Sequence, residues 1–85
     1  MSDGWALDPE SLERALARWI SRENPTDTDQ NWVRAWIEHL REDPGAGEGH
    51  ESGVVSAYVP ETDVAVIWTL DTDNLAIVVA HIGTA

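Results

Sequence analysis

Cysteine, lysine and phenylalanine are all absent from this 85-residue chain. Without cysteine, neither a disulfide framework nor a thiolate zinc site can form, and thiol usage says nothing about compartment. Without lysine, the side-chain cations reduce to Arg14, Arg18, Arg22, Arg34 and Arg41, set against sixteen acids for a net charge of −11. Without phenylalanine, the large aromatics are Trp5, Trp19, Trp32, Trp36, Trp68 and the single Tyr58. No apolar run approaches the roughly 20 residues of a membrane span. The N-terminus is acidic and lacks the basic-then-apolar pattern of a secretion signal. A soluble cytoplasmic protein is the default expectation.

One small domain, residues 1–85, is the expected organisation. A chain this short hides only roughly 60 to 65% of the surface its unfolded form exposes. Each tryptophan is able to bury about 150 to 250 Å², worth roughly 4 to 6 kcal/mol gross, so the tryptophans are expected in or against the core.

The charge is unevenly spread. Residues 1–41 hold eight acids and all five arginines, whereas residues 42–85 hold eight acids and no arginine. A nucleic-acid backbone would be repelled by that C-terminal half in ordinary buffer, so nucleic acid is not an expected partner. One reading of the acidity is functional: a surface that engages a basic enzyme. The other is environmental, a halophile-like composition whose self-repulsion is screened at high salt, where the Debye length is about 3 Å at 1 M. The environmental reading takes precedence, because charge balance bears on solubility before activity.

Two β-branched apolar runs, Val64 to Leu70 and Leu75 to Ile82, flank the polar tetrad Asp71-Thr72-Asp73-Asn74. This is the composition of an antiparallel hairpin closed by a four-residue loop. Both faces of the first run are apolar, so the hairpin needs cover on each side. Upstream, Asp8-Pro9-Glu10 is a helix start, with an N-cap acceptor, proline at the first helical position and an acid in the first turn. Leu12, Ala15, Leu16, Trp19 and Ile20 then form one helical stripe, to about Arg22. Asn24-Pro25 ends that helix and Thr26-Asp27-Thr28-Asp29 starts another, running to about Arg41 with Trp32, Val33, Trp36, Ile37 and Leu40 on its apolar side. Residues 45–53 are glycine-rich and charged, and predict a mobile loop. Val54 to Val59 is a further strand, and Gly4 to Leu7 a short one at the start. The expected fold is α+β: a two-helix hairpin packed on a three- to four-stranded antiparallel sheet, in the order β-α-α-β-β-β.

Candidate sites are few. His39, His50 and His81 occupy separate elements with no HExxH or i, i+4 pairing, so no metal site and no cofactor are expected. The Asp71 to Asn74 stretch lacks the glycine and closing glutamate of a calcium loop, and reads as a turn. Glu38, Glu42 and Asp43 read as solvated charges at a helix end. The sheet face left bare by the helices is the expected partner surface, drawing on Ala65, Ile67, Ala76, Val78 and Ala80.

Asp63 to Trp68 resembles the aromatic-ended strand of the RelE/ParE superfamily of toxin–antitoxin toxins. Leu75 to Gly83 resembles its last strand, and Leu40 to Pro44 its helix ending at Asp-Pro. The resemblance implies the same fold and an antitoxin-like protein partner. It also implies that catalysis, where present, uses basic residues on the sheet. The position matching one of them is Ala65, and His81 is the sole candidate general acid or base. A phosphate transition state without cations lacks its main electrostatic stabilisation, so the resemblance favours protein–protein binding over ribonuclease activity. The alternative is an acidic inhibitor of a basic nucleic-acid-binding enzyme. A homodimer stays open.

Overall fold

The computed structural model describes residues 5–43, 48–49 and 53–84. Helix α1 spans Pro9–Glu23 and α2 spans Asp27–His39. Both begin where capping chemistry dictates. Asp8 accepts a hydrogen bond from the Ser11 amide at 3.0 Å, and Thr26 Oγ1 accepts from the Asp29 amide at 3.1 Å. These bonds satisfy donors that the helix itself leaves open. Asn24, in the left-handed conformation, closes α1 and sends its own amide back to the Ile20 carbonyl, as C-terminal capping requires. Among the described residues, no helix is long and apolar enough to cross a membrane.

The strands are β1 (Ala6–Leu7), β2 (Glu48–Gly49), β3 (Val54–Tyr58), β4 (Val64–Asp71) and β5 (Ala76–Thr84), in the spatial order β1-β5-β4-β3-β2. The α+β class and the order of helices and strands are as expected, but the sheet is mixed. β1 runs parallel to β5, with Ala6 opposite Ala76 and Leu7 opposite Ile77. The helical hairpin returns the chain to the sheet's far side, so the first strand meets the last side by side. Residue alternation carries no information on pairing direction, which is why an antiparallel sheet was the expectation. The expected mobile loop, 45–53, lies largely outside the described residues. Its Glu48–Gly49 forms β2, antiparallel to β3 opposite Ser56 and Val55.

The core lies between the helices and one face of the sheet. Leu12, Leu16 and Trp19 from α1 and Val33 and Ile37 from α2 meet Val66, Trp68, Ile77, Val79 and Ile82. Trp36 packs edge-on against Trp68, with centroids 6.1 Å apart and planes at 70°. The loop between β4 and β5 is Thr72 to Leu75, one residue later than expected. Asp71 ends β4, and Leu75, half exposed, takes the left-handed conformation at φ 50°.

Candidate functional site

The face of the sheet opposite the helices is built by simple alternation on β3 and β4. Tyr58 pairs with Ala65, Ser56 with Ile67, and Val54 with Thr69. On β5 the alternation breaks: Ile67 lies opposite His81 but Trp68 opposite Val79, so Ala80 is the extra residue of a β-bulge. A bulge advances the chain by one residue without changing the partner strand. Had the ladder been regular, His81 would have shared the core side with Ile77 and Val79. The bulge instead sets it in a row with Ile67 and Ser56 on the open face.

Beside the bulge, Val79 turns its amide to the outer edge of β5, as Ile77 turns its carbonyl to Asp8, and α1 supplies the acceptor. Ser11 Oγ accepts from the Val79 amide at 3.0 Å and donates to the Asp8 carbonyl at 3.0 Å. Farther along β5, Arg22 Nη2 donates to the Ile82 carbonyl at 2.9 Å and Glu23 Oε2 accepts from the Thr84 amide at 3.0 Å. Three side chains of α1 thus occupy the outer edge of β5 beyond the short β1, where another strand would otherwise add. An edge treated this way resists strand addition. At Glu23, burial pushes the carboxyl up, but the Thr84 amide and then Arg22 outweigh it and hold the group below the usual carboxylate range.

All five residues expected to meet a partner sit on the open side. Ala65, Ile67, Ala76 and Val78 are partly exposed, and Ala80 is exposed on the bulge. His81, the candidate general acid or base, shares this side and is partly exposed. The other histidines are elsewhere: His39 ends α2 with Nδ1 3.7 Å from Glu42, and His50 lies outside the described residues. Among the described residues, no group of three metal-ligating side chains comes together.

Every arginine lies on a helix or on the turn after α2. Arg14 faces Glu10 at 3.9 Å, and Arg34 spans to α1 with two bonds to Glu13 at 2.8 and 3.4 Å. That fork holds the Glu13 carboxyl below its ordinary range, chiefly by hydrogen bonding and then by charge. Arg22 alone is seen to reach the sheet, at the β5 edge and from the helix side. Neither Ser11 nor Arg22 belongs to the expected apolar stripe of Leu12, Ala15, Leu16, Trp19 and Ile20. Yet Ser11, Ala15, Trp19 and Arg22 fall at i, i+4, i+8 and i+11, so the signal for both was the inward stripe itself.

No family model and no curated protein sequence matches this chain. Solved structures do. A free E. coli RelE mutant with two arginines changed to alanine matches at TM-score 0.69 and 15% identity, over 100% of this chain and 85% of that one. The isolated E. coli RelE toxin matches at 0.68 and 15%, over 99% and 85%. The toxin–antitoxin complex of E. coli RelBE matches at 0.66 and 16%, over 99% and 98%. At such identities the likeness is one of backbone architecture, and on that architecture the chain has the fold of the RelE toxins.

Proposed function

We propose that this chain is a toxin-like member of a toxin–antitoxin pair, a single domain that acts by binding a protein partner and not by cleaving RNA. One observation carries the reading: the open face of the β3-β4-β5 sheet has no arginine, and its ionisable groups are His81, Tyr58 and Asp71. Cleavage of a phosphodiester develops negative charge that an enzyme meets with preorganised cations or donors. A single histidine on a face without fixed cations supplies proton transfer at best, typically about 10² to 10⁴-fold of rate. The same face, with Ala65, Ile67, Ala76, Val78 and Ala80, suits burial against protein. The solved RelBE complex, in which a RelE-fold chain is bound to its antitoxin, lends support by analogy of fold. Because α1 side chains hold the β5 edge, the partner is expected over the face and not as a strand beside β5. Self-association through this face would juxtapose two acidic, arginine-free halves, which favours a heterologous partner.

The test is expression of the chain with and without the product of its adjacent reading frame. Growth arrest by the chain alone, relief by the neighbour and co-purification of the two support the proposal. RNA cleavage by the purified chain that disappears in His81→Ala would overturn its non-catalytic part. The second reading, an acidic inhibitor, is favoured by the absence of arginine from residues 42–85. It predicts capture of a folded basic enzyme and no growth arrest.

A further inference from the structure

A second surface, distinct from the open sheet face, runs along the side of α2 that faces the β3–β4 turn. Its central section, about 540 Å³, lies between Thr28, Trp32 and Ala35 of α2 and Glu61 and Thr62 of the turn. Toward His39 it continues as a smaller apolar hollow against Trp36. Toward the other end it opens into a cleft of about 340 Å³ where Asp29, Glu61 and Asp63 meet Glu23 and Trp19.

Three features define what fits. The wall is a fixed aromatic: Trp32 is 45% exposed, yet its Nε1–H donates to the Pro60 carbonyl at 2.8 Å, which pins the ring in place. The cleft end is acidic and uncompensated. Glu23 is engaged by Arg22 and Thr84, but among the described residues no cation lies within ion-pairing distance of Asp29, Glu61 or Asp63. The floor there holds Trp19, 1% exposed, whose Nε1–H faces the Glu23 carboxylate and helps hold that group below the usual carboxylate range, although no hydrogen bond of good geometry forms. The positive end of the α2 dipole opposes a cation with about half a charge, but the three free carboxylates outweigh it.

We propose that this groove receives a basic segment of a protein partner, an arginine or lysine whose aliphatic stem lies on Trp32 and whose head enters the acidic end between Asp29, Glu61 and Asp63. A guanidinium or ammonium beside an indole face gains cation–π attraction as well as ion pairing. Long basic side chains are built to lay their stems on apolar surface while the head stays with charge. The inference rests on the protein-binding reading above and names the chemistry of the partner.

The test is a titration of the ¹⁵N-labelled full chain with acetyl-LLARR-amide and with acetyl-LLAQQ-amide, following the indole N–H signals of Trp19 and Trp32. The arginine peptide is expected to shift both signals saturably. It should bind about tenfold or more tightly than the glutamine peptide, and lose that margin between 0.05 and 0.5 M KCl as screening rises. Glu61→Gln with Asp63→Asn should erase the preference while leaving the rest of the spectrum unchanged. Equal binding of the two peptides, shifts confined to Ile67 and His81 on the open face, or no shift up to millimolar peptide would each overturn the proposal. The growth assay is read separately: no arrest with intact groove binding removes the toxin reading alone, and arrest without groove binding removes the groove alone.

Discussion

The helical layer and the sheet solve the same problem by opposite means. In α1 and α2 nearly every structural decision is local. Caps come from Asp8 and Thr26, acids pair with arginines one turn or one helix away, and all five arginines stay with this layer. In the sheet the decisions are long-range. The register of β5 shifts at a bulge at Ala80, and the Val79 amide beside it is bonded by Ser11, 68 positions earlier in the chain. Local determinants give a layer that tolerates surface change. Remote ones give a sheet whose two faces differ sharply in what a substitution costs.

That asymmetry between faces is the first thing to break. Trp68 is fully buried and abuts Trp36, whereas its neighbour Ile67 points to the open face. Trp68→Ala should cost about 3 to 5 kcal/mol by transfer and cavity terms, enough to leave a domain of this size largely unfolded at 37 °C. Ile67→Ala should cost about 1 kcal/mol or less, as surface changes do. Urea denaturation followed by tryptophan fluorescence measures both. Equal costs would mean that the open face is already covered in the isolated protein.

Next comes the bond that joins the layers. Ser11→Ala leaves the buried Val79 amide without an acceptor, at about 1 to 3 kcal/mol. Ser11→Thr keeps the hydroxyl and should retain most of the stability. If alanine at this position were neutral, the outer edge of β5 would not depend on the helix, and the contrast between local and remote control would fail.

The helices could be read to within two residues because capping side chains and a 3.6-residue stripe are written in neighbouring positions. The antiparallel β3–β4–β5 meander was readable from the polar tetrad Asp71 to Asn74 and from β-branched runs. The parallel pairing of β1, the bulge at Ala80 and the β2 pairing inside a glycine-rich stretch were not. Each depends on what a distant segment offers, and periodicity within a strand is blind to that. The open-face residues Ala65, Ile67, Ala76, Val78 and Ala80 were placed together from their alternation. His81 joined them only through the bulge. The groove under Trp32 is not legible in the sequence, because its walls come from α2 and the β3–β4 turn, 28 positions apart at Trp32 and Pro60, and spacing alone puts Trp32 on the apolar stripe.

Gly83 tests the join from the other side. Its φ of 154° is unusual for an L side chain, and a Cβ there would run into Arg22. Gly83→Ala should displace the guanidinium from the Ile82 carbonyl and cost about 1 to 2 kcal/mol. In an Arg22→Ala background the same change should cost less, since the nearer obstacle is gone and only Glu23 Oε2, 2.8 Å from the new Cβ, remains. A thermal-denaturation double-mutant cycle reads the coupling; strict additivity would show that backbone strain alone sets the cost.

The smallest expected effect returns to a local device inside the sheet, the turn after β4. Asp71 accepts from the Asn74 side chain at 2.9 Å and from the amides of Asp73 and Asn74 at 3.1 and 3.2 Å. The Asn74 side chain, then its amide, hold the Asp71 carboxyl below its ordinary range. A carboxyl depressed in the folded state contributes stability that is complete above its unfolded value of about 3.9 and is lost as pH falls through the folded one. Between pH 5 and pH 2 the amide signals of Asp73 and Asn74 should therefore move together, with a midpoint below that of a short peptide of the same sequence. The open face should hold its shifts over the same range, apart from residues next to the turn. Asp71→Asn should abolish the titration while changing the melting temperature little, because the group is exposed and water competes for each bond. A midpoint at the peptide value would mean that the turn forms without help from the charge. The sheet would then owe this corner, like its register, to the chain around it.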